Sequence, residues 1–132
     1  MKKNQKYFIF DEGSVHAAHN LFVHANSSPR RSDIVFFAHQ IPKPDLIIYV
    51  KTPVEIMVSR TLQRGHHRVG NIEHDIRKFV ANAVSSFEIL ASLDVIKERL
   101  IIVQNADSNF SQIDKIAKSI AKQILNHKQC FS

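Results

Sequence analysis

The chain has 132 residues, 44% hydrophobic and 23% charged, which suits one modest globular domain rather than a disordered tail. Its net charge of +6 fits an anionic ligand or nucleic acid, and equally a surface charged for solubility. A lone cysteine, Cys130, excludes an internal disulfide, and no run approaches the roughly 20 apolar residues of a membrane span.

Met1-Lys2-Lys3 has the basic start of a secretory signal, but the apolar run Tyr7, Phe8, Ile9, Phe10 is too short for its core and Asp11-Glu12 interrupts it. The expected location is the cytoplasm. The same run, closed by Asp11-Glu12-Gly13, is taken as a first strand. A helix follows over about 14–24 with Val15, Ala18, Leu21 and Phe22 inward. Asn26-Ser27-Ser28-Pro29 breaks it, and a short helix over about 30–39 carries Ile34, Phe37 and Ala38 inward. Ile41-Pro42-Lys43-Pro44 enforces an extended entry into a second strand, 46–50, whose unbroken apolar character predicts a strand covered on both faces.

Thr52, Pro53 and Glu55 then write a helix start: a Thr52 cap, proline at the first helical position and Glu55 reaching back to the Thr52 amide. Val54, Met57, Val58, Thr61 and Leu62 form a stripe expected to pack on the sheet, and Gly65 stops the helix. Arg60 and Arg64 lie four apart on the opposite face, so with Arg68 three arginines gather near one helix end. A long helix over about 72–93 places Ile72, Ile76, Phe79, Val80, Ala83, Val84, Phe87 and Leu90 on one side. A third strand over 99–103 precedes Asn105-Ala106-Asp107, and a last helix over about 110–128 carries Ile113, Ile116, Ala117, Ile120, Ile124 and Leu125. Ser111 with Asp114, or Ser108, is its expected cap.

The stretch from Pro44 to Arg68, PDLIIYVKTPVEIMVSRTLQRGHHR, resembles the fourth strand, following helix and lid entry of P-loop nucleotide kinases, the thymidylate-kinase-like group in particular. The shared pattern is Pro-Asp-Leu, an apolar strand, a Pro-Glu helix start and Arg-x-x-x-Arg-Gly. Tyr7 to Gly13 is similar to the preceding family strand, and Arg99 to Asp107 to the last strand and the loop beside the nucleotide base. The resemblance implies an α/β fold: a partial three-layer αβα P-loop kinase-like domain filling residues 1–132, with about three mostly parallel strands, flanking helices and a lid near 64–72. It also implies ATP and Mg2+ as cofactors and a small-molecule or nucleotide phosphate acceptor.

Several family elements are absent from the sequence: the first strand, the phosphate loop, its helix and the second strand. The phosphate cradle requires Gly-x-x-x-x-Gly-Lys-Ser/Thr, and Gly13, Gly65 and Gly70 do not stand in that frame. With ten residues ahead of Asp11, the expectation is the C-terminal part of such a domain, not competent alone. In the family the missing strand lies between the strand ending at Asp11 and the strand at 46–50. The two orphaned strands are then expected to pair with each other, to collapse, or to receive a strand from a partner, either a polypeptide supplying the P-loop half or another copy of the chain.

The resemblance makes Asp11 the magnesium-side carboxylate, with Glu12 sharing proton or metal work; as plain residues the pair cap and favour the next helix N-terminus. It makes Arg64 and Arg68 catalytic phosphate clamps, Arg60 and Arg64 nucleotide-binding, and Asn105 and Ala106 base-side contacts. The plain alternatives are a solvated helix face and an ordinary strand-to-helix turn. Eight histidines raise a metal reading, with His16 and His19 at i, i+3, but no CxxC or HExxH frame accompanies them. His66-His67 beside Arg68 is able to add donors to a phosphate at mildly acidic pH, and no role is assigned to the pair. Two classes of function stand: a kinase-like phosphotransferase part, and a non-catalytic module that holds an anion, a nucleic acid or a protein on its basic lid surface. No aromatic stacking platform supports nucleic acid.

Overall fold

The computed structural model describes residues 6–106 and 109–127. Its elements in chain order are α1 (Ala17–Phe22), α2 (Arg31–Gln40), β1 (Ile47–Lys51), α3 (Val54–Arg64), α4 (Glu73–Ser92), α5 (Asp94–Lys97), β2 (Leu100–Gln104) and α6 (Phe110–His127). The mixed α/β reading stands. The sheet among the described residues has two strands, with β1 parallel to β2 and Ile47 opposite Leu100 through Lys51 opposite Gln104.

Helix α4 is the spine. Its 3.6-residue stripe is long enough to serve two separate cores. Toward its C-terminal half, Leu90 packs with Ala18 of α1, Ile34 and Ala38 of α2 and Ile96 of α5, all essentially inaccessible to solvent, with Phe22, Phe37 and Ile47 around them. Toward its N-terminal half, Ile76 and Val80 pack with Val58 of α3, and Met57, Leu62, Val69 and Val84 close that second cluster. Each such aliphatic side chain contributes about 1.5–3 kcal/mol on burial, so the helices hold this fold more firmly than the sheet does. The buried hydroxyl of Ser86 donates to the Asn82 carbonyl at 2.9 Å, which removes the cost of an unpaired donor inside α4.

Several expectations need correction. Leu21, expected inward, is 56% accessible, and the 46–50 strand is not covered on both faces, since Ile48 and Val50 are 38% and 50% accessible. Tyr7 to Phe10 is not a strand: these residues run as exposed irregular chain, with Ile9 88% accessible. A run of four apolar residues gains strand structure only from a neighbour that supplies its ladder, and among the described residues no strand flanks it. Helix α3 turns its stripe onto α4 rather than onto the sheet, because Val58, Met57 and Leu62 meet Ile76 and Val80 there. Its start also lacks the reciprocal cap. Pro53 occupies the cap position with no side-chain bond, and the Glu55 carboxylate is held by the Arg77 guanidinium from α4 at 2.9 and 3.0 Å.

The last helix begins differently from the Ser111 expectation. Asn109 Oδ1 accepts from the Ser111 amide at 3.1 Å, so Asn109 supplies the capping oxygen, while Asp114 pairs with Lys118 at 2.7 Å. Ser108, Asp107, Lys128 and Cys130 lie outside the described residues. Gln112, Asp114 and Lys115 are exposed, and so are Ile113 (48% accessible) and Leu125 (60%), while Ile116, Ile120 and Ile124 are half-buried, so the apolar stripe of α6 is only partly covered. No helix among the described residues is long and apolar enough to cross a membrane.

Candidate functional site

Two groups of candidate residues are separated in sequence and joined in space by α4. The first stands at the carboxyl ends of the strands, where open parallel sheets commonly bind ligands. The Asn105 amide donates to the Lys51 carbonyl at 2.7 Å, extending the β1–β2 ladder by one bond and fixing Asn105 beside the end of β1. Ala106 follows, exposed. Lys51 Nζ pairs with Glu88 Oε1 of α4 at 2.6 Å and lies 5.7 Å from the Tyr49 ring centroid, while the Tyr49 hydroxyl donates to the same carboxylate at 3.4 Å. Burial, with the Glu88 charge second, pushes the Tyr49 phenol up to about 12. The neutral phenol is thus held as a donor.

The second group is the connection from α3 to α4. Gly65 ends α3 at φ 69°, and Gly70 adopts φ 69° as well, a region that side-chain-bearing residues avoid. A Cβ on Gly65 would also come within 3.3 Å of Asn71 Oδ1. Between them the Gly70 and Val69 amides donate to the His66 carbonyl at 2.7 and 3.2 Å, making the expected lid a closed turn. Arg64 is exposed at the end of α3, and Arg60 is half-buried along it.

Arg68 does not project as a free clamp. Its Nη2 donates to the Val23 carbonyl at 3.1 Å, its Nη1 to Asn20 Oδ1 at 3.4 Å, and its guanidinium lies 5.6 Å over the Phe79 ring. These contacts tie the turn to the end of α1. A cleft of about 170 Å³ beside them is lined by Val23, His24, Asn26, Arg68 and Phe79.

Asp11 and Glu12 stand apart from the position that the resemblance implies. They occupy an exposed bend ahead of the turn in which the His16 amide donates to the Gly13 carbonyl at 3.0 Å. Among the described residues no strand precedes them. No group of three or more His, Cys, Asp or Glu side chains among the described residues is arranged to hold a metal ion. The donor set present does not fit a magnesium nucleotide: the carboxylates are unsupported, the glycine-rich cradle is missing and Arg68 is engaged elsewhere.

A feature that the sequence reading left without a role is a row of rings along α4. His16 and His19 of α1 stack at 5.5 Å between centroids, and both approach Phe87, at 6.1 and 6.4 Å. His19 also meets Phe79 edge-on at 5.5 Å. On the other flank His66 lies 4.9 Å from Phe79 and stacks on His67 at 5.1 Å. Tyr49 completes the row, 6.0 Å from Phe87. Phe79 and Phe87 are eight residues apart, about two helical turns, and so share a face. With the i, i+3 spacing of His16 and His19, that was the available signal.

Burial first, then His16 and Arg68, hold the His19 imidazole below its usual range; burial, then His67, Arg68 and Arg64, do the same for His66. No family model matches the sequence, and no significant match to a curated protein or a solved structure is found.

Proposed function

We propose that the chain is the C-terminal part of a P-loop nucleotide-kinase-like phosphotransferase of the cytoplasm. It is inactive alone and is completed by a polypeptide that carries the glycine-rich phosphate loop. The observation that carries this reading is the open parallel pair β1–β2. Alternate residues of β1 face opposite sides of the sheet, and Ile48 and Val50 remain 38% and 50% accessible on one side. Ile102 is 49% accessible on the other. Parallel strands are normally covered on both faces and occur in larger sheets, so the pair is suited to adding a neighbouring strand. The order Pro-Asp-Leu, strand, Pro-Glu helix and Arg-x-x-x-Arg-Gly supports the same family, as does Asn105 at the carboxyl edge of the sheet.

Within the proposed whole, the completing polypeptide would hold ATP and magnesium, which would supply the phosphoryl group and its charge neutralisation. This chain contributes the exposed Arg64 and the half-buried Arg60 as cations, and Asn105 and Ala106 as the rim beside the base. Arg68 acts as a positioning residue that holds the turn against α1, and Asp11 and Glu12 need a strand ahead of them before either holds a metal or a proton.

Calorimetry with ATP and Mg2+ tests the reading. The 132-residue chain is expected to give no binding heat alone and to bind once mixed with a polypeptide bearing Gly-x-x-x-x-Gly-Lys-Ser/Thr encoded beside it. Tight ATP binding by the chain alone overturns the dependence on a second polypeptide.

One observation favours a second reading, a non-catalytic binding module: Arg68, the central cation of the expected lid, is committed to Val23, Asn20 and Phe79. That module would use Arg64 and the neighbouring histidines on an anion or protein. A nucleic-acid partner would show affinity falling steeply with salt.

A further inference from the structure

We infer that the row of rings along α4 is an acid-sensitive latch, which fastens α1 and the 65–72 turn to α4 when its histidines are neutral and releases them when they charge. The argument begins with what touches α4 there. From the α1 segment come His16, at its N-cap, and His19; from the turn come His66 and Arg68, with His67 stacked on His66 and Arg64 close enough to act on it. The α4 side offers Phe79 and Phe87, which carry no compensating charge.

The carboxylate next along α4, Glu88, is occupied by Lys51 and Tyr49 of β1. Among the described residues no carboxylate acts on His19 or His66, and every charged group that acts on them is cationic or becomes so on protonation. Neutral imidazoles stack readily at 5.1 and 5.5 Å. Two imidazolium ions at that separation repel, next to a permanent guanidinium.

The neighbouring structure makes release local. Helix α1 has six residues and one fully buried side chain, Ala18, and the turn is anchored mainly by His66, Arg68 and Val69. Both are short elements to which the ring contacts add: α1 is held besides by Ala18 and Phe22 in the core and by Asn82, which donates to the His24 carbonyl at 2.6 Å. The α4 core beneath is closed by aliphatic side chains that do not titrate. The sign follows from burial: a histidine held below its unfolded value stabilises the closed form above about pH 6.5, and that contribution is lost as pH falls through the folded value.

The latch is independent of the kinase-like reading and is tested on the full chain by amide hydrogen exchange between pH 7.5 and 5.5, corrected for intrinsic exchange rates. The expected result is loss of protection in 14–24 and 65–72 while 76–90 keeps its protection. A chain in which His19→Gln and His66→Gln are combined should show the same protection in those segments at both pH values. The proposal is overturned if protection there is independent of pH in the natural chain, if the whole chain opens together, or if the doubly substituted chain loses protection on acidification as the natural one does. Should that variant not fold, the decision passes to the natural chain by NMR: His19 and His66 titrating together with the opening support the latch, and opening at a pH where both stay neutral overturns it.

Discussion

The two halves of the molecule treat apolar surface in opposite ways. Around α4 the main stripes find partners: Ile34, Ala38, Leu90 and Ile96 are closed off together, and Val58, Ile76 and Val80 form a second closed set, with Leu21, Phe36 and Ile72 left exposed at the margins. Around β1 and β2 they do not. Ile48, Val50 and Ile102 stay accessible, the α6 stripe is exposed at Ile113, Ala117 and Leu125 and half-buried at Ile116, Ile120 and Ile124, and Tyr7 to Phe10 lies against solvent. Helices satisfy their own backbones and need only one buried stripe, whereas a strand needs ladder partners and cover on its faces. A helical core therefore closes on what this chain contains, while the two-stranded sheet among the described residues keeps accessible side chains on both faces.

The largest effect that separates the halves comes from deletion of buried side chains. Ile34→Ala should cost about 2–5 kcal/mol in urea denaturation, and Ile113→Ala on α6 less than about 1 kcal/mol. Equal losses would show that α6 is covered after all. Next is Arg68→Ala, expected to cost about 1 kcal/mol through the lost bond to Val23 and the contact with Phe79; Arg68→Lys should recover only part of it, since a lysine lacks the planar fork.

Alkaline titration probes the seam between the halves. Tyr49 should ionise near 12, read by phenolate absorbance, and Glu88→Gln should bring it down. Because the folded value is raised, the stabilisation by the neutral phenol is complete below about pH 10 and is lost as pH rises toward the folded value. The smallest effect belongs to Arg77→Ala: the Glu55 and Glu73 pairs are fully solvated, and denaturation midpoints should scarcely move even though the Glu55 carboxyl, held below its usual range by the Arg77 bond, returns toward it.

What could be read from sequence follows the same division. The α2 and α4 stripes were legible because 3.6-residue periodicity reports a buried face directly, and Ile34, Ala38, Ile76 and Leu90 are where that period puts them. The apolar runs at 46–50 and 99–103 were legible as strands, with parallel pairing implied by the alternation of elements. Tyr7 to Phe10 was misread because strand propensity in four residues is decided by neighbours rather than by the run itself.

The Glu55 cap was misread for a related reason: a nearby guanidinium from α4 competes for the carboxylate, and sequence spacing does not show what lies across a helix interface. The short helix α5 was not anticipated, since four residues carry too little periodicity to see. Of the candidate site, the grouping of Arg64 and Arg68 near the α3 terminus was legible, whereas the seat of Arg68 on α1 depends on contacts 45 and 48 residues away.

The central claim is that the sheet half of this chain is unfinished and the helical half is not. Sedimentation velocity over a range of concentrations, paired with a thermal melt of the same samples, tests it most directly. The predicted result is concentration-dependent association of the isolated chain or a broad, poorly cooperative melt; a single cooperative transition in a species that sediments as a monomer throughout would contradict it.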